Sequence, residues 1–351
     1  MNPALRPLIQ SCVTVTFVLY AFLSLFREAF FSPLPFGFIL TLGLICAIHL
    51  LRVPAPEKSS VEAIFGAELS EPEGIKVTTI AHRGALLDAP ENSLAAFEMC
   101  KNEGPIAVEF DICLTSDGVP IVFHDSTLER MTGLPQVVSE TKWEELSKID
   151  ISVKHLYKDR YPNTNIPTLE QTITQLLASG QKMIIDIKDN NTKMVKVIHD
   201  LFKNHNELYS RAVVSTFFPN LIYLIRRGDP KIVCSMAWRP HAFAYTSYSY
   251  PEGKGPKKYE QWYKHFAALV YDEIVAWALP NFLYHLLGLS FVLLHKDAVT
   301  AQTIIEWRKK GVRVMAWPVN SPVEKQHFAR NLKVTYLTDT LTGESSTHLL
   351  P

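Results

Sequence analysis

The 351-residue chain has no net charge, since 35 basic residues balance 35 acidic ones, and no basic stripe runs along it. That speaks against a nucleic-acid partner, because binding a phosphate backbone needs a concentrated positive footprint. Cysteine is scarce and odd in number, five in all, without a C-x-x-C pair. Neither a zinc site nor a disulfide framework can be read from such a set, and no redox compartment follows. Charge is nearly missing from the first fifty residues, which hold LIQSCVTVTFVLYAFLSLF (8–26) and FGFILTLGLICAIHLL (36–51) on either side of REAFFSPLP. Each run is near the length that crosses a bilayer as a helix. A basic leader and a small-residue cleavage site are also poorly represented, which weighs against a signal peptide. Residues 1–52 therefore read as an integral membrane anchor of two helices turning at Pro33 and Pro35. The flanking charges, Arg6, Arg27, Glu28, Arg52 and Lys58, are too few to orient it. Plasma membrane and endomembrane, and either side of each, stay open.

What is present begins after a polar linker at residues 53–74. Short β-rich runs then alternate with helical stretches: VTTIA (77–81), IAVEFDI (106–112), VPIVF (119–123), KMIIDI (182–187), AVVSTF (212–217), KIVCSM (231–236), VRVMAW (312–317) and VTYLT (334–338). Helices are expected over Asn92–Asn102, with an Asn or Ser cap, and over Thr168–Ala178. Alternation on this scale predicts a parallel sheet, and residues 75–345 suit a closed (β/α)8 TIM barrel with its chemistry at the C-terminal strand ends. Two helical insertions interrupt it, at about 126–166 and 240–295. The second is rich in aromatics, yet Lys264, Asp272, Glu273 and Pro280 break it up, so a simple membrane span is disfavoured. Two or three amphipathic helices in the membrane interface fit it, and burial against the barrel is the competing reading.

The polar residues collect where those strands end. In AVEFDICLTSDGVPIVFHD (107–125), Asp117-Gly118 signals a hairpin. With those two residues central, Thr115 pairs with Pro120 and Asp111 faces His124. Glu109 and Asp111 leave the same strand face, being two apart. Asp186 and Lys188 end another strand, His82 and Arg83 a third, and Trp317 a fourth, followed by Asn320. Three converging carboxylates make a hard-oxygen site for Mg²⁺ or Ca²⁺. Arg83 and Lys188 add positive charge that invites a phosphate. His82 and His124 can serve as acid and base near neutral pH. Together these groups describe phosphodiester cleavage. Trp317 reads either as packing or as a surface on which a substrate stacks, and Glu91 either as a first-turn acid matched to a helix dipole or as part of the site.

On the segments AHRGALLDAPENSLAAF (81–97), VEFDICLTSDGVPIVFHDSTLERMTG (108–133), IPTLEQ (166–171), IIDIK (184–188), VVSTF (213–217), AWPVN (316–320) and YLTD (336–339), the chain resembles the glycerophosphodiester phosphodiesterase family. Its apolar N-terminus and aromatic insertion make it similar to the membrane-bound animal branch acting on glycerophosphoinositol. The resemblance implies a TIM barrel that hydrolyses glycerophosphodiesters to sn-glycerol 3-phosphate and an alcohol with a divalent metal. Carried over by position, it implies His82 and His124 as the catalytic pair and Glu109 and Asp111 as metal ligands; the hairpin register, which sets His124 against Asp111, offers metal contact as the alternative role for His124. The third carboxylate, usually Glu in the family, is Asp186 here, one methylene shorter. Arg83 and Lys188 are expected to bind the phosphate, and Glu91 and Trp317 to shape the substrate site. A lysophospholipase D acting on lysophospholipids or N-acyl glycerophosphoethanolamines would use the same residues. A non-catalytic membrane interaction protein is the third reading.

Overall fold

The computed structural model describes residues 16–17, 19–28, 36–66, 77–104 and 107–342. It divides into two units, residues 1–52 and 53–351. In the first, Phe36–Leu51 is a 16-residue apolar helix, about 24 Å long at 1.5 Å per residue. The expected turn at Pro33 and Pro35 and the start of the first apolar run lie outside the described residues.

The second unit is built on strands β1 (Thr79–Ala81), β2 (Ala107–Leu114), β3 (Pro120–Val122), β4 (Lys182–Ile187), β5 (Ala212–Thr216), β6 (Cys234–Trp238), β7 (Tyr248–Ser249), β8 (Gly253–Lys254), β9 (Phe291–His295), β10 (Arg313–Trp317) and β11 (Thr335–Thr338). Eight of them, β1, β2, β4, β5, β6, β9, β10 and β11, pair in parallel and close where β1 meets both β2 and β11. This is the closed parallel barrel of a TIM fold. β3 hangs antiparallel on β2, and β7 and β8 form a separate small hairpin.

Side-chain alternation sorts each barrel strand into two sets. One set, with Val108, Phe110, Ile185, Val214, Met236, Val292 and Ala316, packs outward on the surrounding helices. The other, with Ile80, Ala107, Ile184, Val213, Val233, Phe291, Met315 and Leu337, fills the barrel interior. Helix Lys58–Phe65 closes the lower end. Its Ile64 and Phe65 join the interior cluster, and Phe65 meets Phe291 edge to face at 5.7 Å. Lys182 Nζ donates to the Ala63 carbonyl and Arg313 to that of Gly66, fastening the helix to the strand starts.

Two expectations are corrected here. The Asp117-Gly118 hairpin pairs Leu114 with Pro120 and Ile112 with Val122, one residue away from the expected register. Thr115 N–H donates to the Val119 carbonyl and Gly118 N–H to that of Thr115, so the loop has three residues with Gly118 at φ 82°. A left-handed glycine closing a three-residue loop inserts the extra residue. Asp111 consequently lies opposite Phe123, whose N–H it accepts, rather than His124. The eighth barrel strand is FVLLH, β9, which in sequence falls at the end of the aromatic insertion. Both expected helices form, as Leu94–Glu103 capped by Ser93 and Leu169–Ala178 capped by Thr168 in a capping box with Gln171. Within residues 240–295 the long element is one helix, Trp262–Ala278, which continues helically to Leu287.

Candidate active site

The interior set of side chains changes character along the barrel. It is apolar at the strand starts and turns polar at the C-terminal ends. Continuing each strand by its inward parity gives His82 after β1, Glu109 and Asp111 on β2, Asp186 and then Lys188 on β4, Arg239 after β6, His295 on β9, Trp317 on β10 and Asp339 after β11. β2 and β4 set Asp111 beside Asp186, and β5 continues the row with Ser215.

Glu109, Asp111 and Asp186 are buried, and each offers an oxygen within 4.8 Å of the others. Burial, followed by the charge of Asp111, raises the Glu109 carboxyl well above the ordinary range. Asp111 is equally buried, but Lys188, His124 and Arg83 outweigh that penalty and hold it well below. Lys188 Nζ bridges the pair, 2.8 Å from Asp111 and 2.6 Å from Asp186. Burial works against its charge, and the carboxylates more than compensate, so its pKa is raised. Asp186 Oδ1 is buried without a hydrogen-bond partner. Such an orphaned carboxylate oxygen, beside a carboxyl pushed toward protonation, is what a hard divalent cation would satisfy.

Arg83 sits on a one-turn element, His82–Gly84, at φ 54°. Its N–H donates to Glu109 at 2.9 Å, and its guanidinium pairs with Glu91 at 3.2 Å and with Asp111 at 3.3 Å. Gly84 is required for this turn. Its φ is 78°, and a Cβ there would lie 2.8 Å from that of Ala96. Glu91 is buried and also receives Arg130 at 2.6 and 2.8 Å. The same Arg130 reaches Asp125 at 2.6 Å, and Asp125 pairs with His124 Nδ1 at 2.6 Å. Burial of Asp125 is outweighed by these two partners, and its pKa falls to about 2. Burial, only partly countered by Asp111, holds His124 below the usual histidine value.

His82 has an equivalent arrangement. Its Nδ1 meets Asp339 at 2.5 Å, and its Nε2 lies 3.8 Å from Glu109. Asp339 is fixed in turn by Asn320, whose Nδ2 donates to it at 2.6 Å and whose Oδ1 accepts its N–H at 2.8 Å. Burial pushes Asp339 up, but His82 and Asn320 hold it low. Each histidine thus has Nδ1 held by an aspartate. These two aspartates, with Asn320 and Arg130, were given no role from the sequence. Asn92, expected as a possible helix cap, leaves that role to Ser93; at φ 57° it donates to Asp111 at 2.8 Å and accepts that residue's N–H at 3.0 Å. Inward parity was the available signal for Asp339 and His295, since both stand an even number of residues beyond interior apolar positions.

Above these groups opens a cavity of about 560 Å³. Arg83, His124, Lys188 and Trp317 line its floor side, and Phe217, Phe243, Tyr248, Lys258 and His295 are among its walls. Trp317 Nε1 donates to the Leu293 carbonyl, and its ring meets His82, His295 and Phe217 at 6.2, 5.5 and 5.9 Å. The expected site residues are therefore brought together at one end of the barrel, with Glu91 behind Arg83.

Comparison with known proteins gives the same picture. Residues 82–339 match the glycerophosphoryl diester phosphodiesterase family model. The chain is 31% identical over 273 residues to human glycerophosphodiester phosphodiesterase 1, covering 78% of this chain and 81% of that protein. It is 30% identical over 331 residues to the rat protein of the same name, covering 90% and 96%. Among solved structures, a phosphodiesterase from Oleispira antarctica in complex with the product sn-glycerol-3-phosphate superposes with a TM-score of 0.60 at 20% identity, over 78% of this chain and 97% of that one. The family match begins at His82 and ends at Asp339, the two partners of a single hydrogen bond across the barrel seam, and the chain belongs to the glycerophosphoryl diester phosphodiesterase family.

Proposed function

We propose that this phosphodiesterase is membrane-anchored and metal-dependent, and that it hydrolyses glycerophosphoinositol to sn-glycerol 3-phosphate and inositol. The observation that carries the reading is the pair of histidines, each tied through Nδ1 to an aspartate, beside three buried carboxylates. Glu109, Asp111 and Asp186 would hold Mg²⁺ or Ca²⁺, and His124, which the observed register moves off Asp111, is left to proton transfer; a bound divalent cation supplies Lewis-acid polarisation of a phosphoryl oxygen.

Arg83 and Lys188 receive the remaining phosphoryl charge. They are preorganised for this, because the carboxylates around them already fix their positions, and donors aimed in advance at developing charge need no reorganisation during the reaction. His82 and His124 share the proton work. An Nδ1–H given to an aspartate leaves Nε2 with the lone pair, so Nε2 is where one histidine takes a proton from the water whose oxygen attacks phosphorus as the bond to the alcohol oxygen breaks. The other delivers a proton from Nε2 to the departing alcohol oxygen. Glu91 keeps Arg83 and Arg130 in place, and Trp317 offers a flat apolar wall for the glycerol or head group. Anchoring is supported by the apolar helix Phe36–Leu51.

A second reading, lysophospholipase D activity, is supported by the aromatic walls Phe217, Phe218, Phe243 and Tyr259, which suit an acylated substrate. The test is release of glycerol 3-phosphate from glycerophosphoinositol and from a lysophospholipid, with Mg²⁺, Ca²⁺ or EDTA, by wild type and His82→Ala. Metal-dependent release that the variant loses supports the site, and the faster substrate selects the reading. No release from either, by folded protein, would favour a non-catalytic interaction protein.

A further inference from the structure

Helix Trp262–Ala278 has two unlike faces. His265, Ala268, Asp272, Val275 and Ala278 are buried. Opposite them Trp262 is 79% exposed, Tyr263 55%, Phe266 62%, Ile274 53% and Trp277 63%. At 3.6 residues per turn these five, with Val270, fall within an arc of about 120°. Of its exposed charges, Lys264 lies outside this arc and Glu273 inside it, between Trp262 and Phe266, where a long acidic side chain has to reach back to the head groups.

The run Trp262–Leu287 is long and apolar enough to cross a bilayer, yet its inner face is packed into the catalytic unit. Asp272 accepts the N–H groups of Phe243 and Ala244, both at 2.9 Å, and Val275, Leu279 and Leu287 belong to the main core. A helix tied down by a buried carboxylate on one face and aromatic on the other lies in an interface rather than spanning it. Trp and Tyr are the residues that settle at the head-group level.

The chain's own course names the occupant. Val53, the first residue of the catalytic unit, donates its N–H to the Leu286 carbonyl at 2.9 Å, and a Cβ on Gly288 would lie 2.4 Å from the Val53 oxygen. The polypeptide thus enters this unit at the end of the aromatic run, two residues after the apolar Phe36–Leu51 helix. Helix Trp262–Ala278 also backs a wall of the cavity, since its Tyr271 packs on the cavity-lining Phe243 at 4.6 Å.

We infer that the outer face of Trp262–Ala278 beds the catalytic unit in a lipid surface and delivers membrane-resident diesters to the cavity. This rests on the phosphodiesterase reading for its second half only. None of the six tryptophans lies in residues 1–52, so tryptophan fluorescence reports on the catalytic unit alone. The full chain is reconstituted in phosphatidylcholine nanodiscs with and without brominated acyl chains. Bromine quenching is expected in the wild type and is mostly lost in Trp262→Phe/Trp277→Phe. Phe266→Ser/Ile274→Ser should lower turnover of a lysophospholipid in vesicles several-fold while turnover of soluble glycerophosphoinositol is unchanged. Absence of bromine quenching in the wild type overturns the inference, as does concentration-dependent cross-linking of Ile274→Cys between copies in place of quenching. An equal fall for both substrates also overturns the delivery step. Quenching without turnover of either substrate leaves the docking standing and defeats the phosphodiesterase reading instead.

Discussion

Asp339→Asn isolates the part of the site that acts through another residue. The carboxylate lies 2.5 Å from His82 Nδ1 with its side chain only 14% exposed. A charge-assisted hydrogen bond contributes about 1.5–3 kcal/mol, and at about 1.4 kcal/mol per decade its loss amounts to about 10- to 150-fold. The substitution does more than weaken the bond, because Asn320 fixes which way the new amide points. Asn320 Nδ2 needs an acceptor, so the oxygen of the introduced amide turns toward it and the new NH₂ faces His82 Nδ1. A donor facing Nδ1 forces the proton onto Nε2, and Nε2 can then no longer take one. The full loss of general acid–base work at one histidine is about 10²–10⁴-fold. The expected result is therefore a fall in kcat of about 10² or more with KM nearly unchanged, followed by glycerol 3-phosphate release. The thermal midpoint should move by only a few degrees. A kcat within about threefold of wild type, or a fall tracked by an equal rise in KM, would refute Asp339 as the positioning residue.

Other outcomes follow from the same structure. Mg²⁺ or Ca²⁺ at a hundredfold excess over Kd should stabilise the wild type against unfolding by about 2.7 kcal/mol and raise its midpoint accordingly. Asp186→Asn should abolish that rise, which calorimetry measures without recourse to activity. Gly84→Ala forces a Cβ 2.8 Å from Ala96 at φ 78°, and left-handed strain plus overpacking should cost about 2–4 kcal/mol in denaturant titrations. Burial pushes the Asp150 carboxyl up, but Ser152, Asn163 and Thr164 outweigh it and lower its pKa. Its contribution is thus complete above about pH 4, the unfolded value, and fades as pH falls through the lower folded value. Midpoints measured from pH 6 to 3 should drop less steeply in Asp150→Asn than in the wild type.

Short β-rich runs made most barrel strands legible, because a parallel strand covered on both faces reads as a continuous apolar run bounded by polar residues. FVLLH escaped because it follows an aromatic helix directly, and periodicity alone cannot divide one apolar stretch from the next. The hairpin register slipped because Asp117-Gly118 is compatible with loops of two and of three residues, and only the left-handed Gly118 after Ser116 and Asp117 decides between them. His124 still reaches the site because it lies beyond the paired part of β3, where register no longer constrains it. The carboxylates, cations and histidines were legible from their positions at strand ends. Their partners were less so. Asp339 is more than 250 residues from His82 in sequence and adjacent to it only because the barrel closes, and Arg130 reaches Glu91 from an insertion whose path sequence does not dictate.

The short helix Lys58–Phe65 caps an interior already packed with side chains, so the barrel is solid below the site and open only above it. Traffic at such a site is single-ended, and every molecule leaves by the way it came. If Arg83 and Lys188 draw in the phosphate end of a diester, as proposed, the alcohol is left nearer the mouth. Release then has a built-in order: the alcohol must clear the opening before the phosphorylated product can follow. The alcohol's size and stickiness to the rim would therefore set the pace of turnover even where the bond breaks quickly.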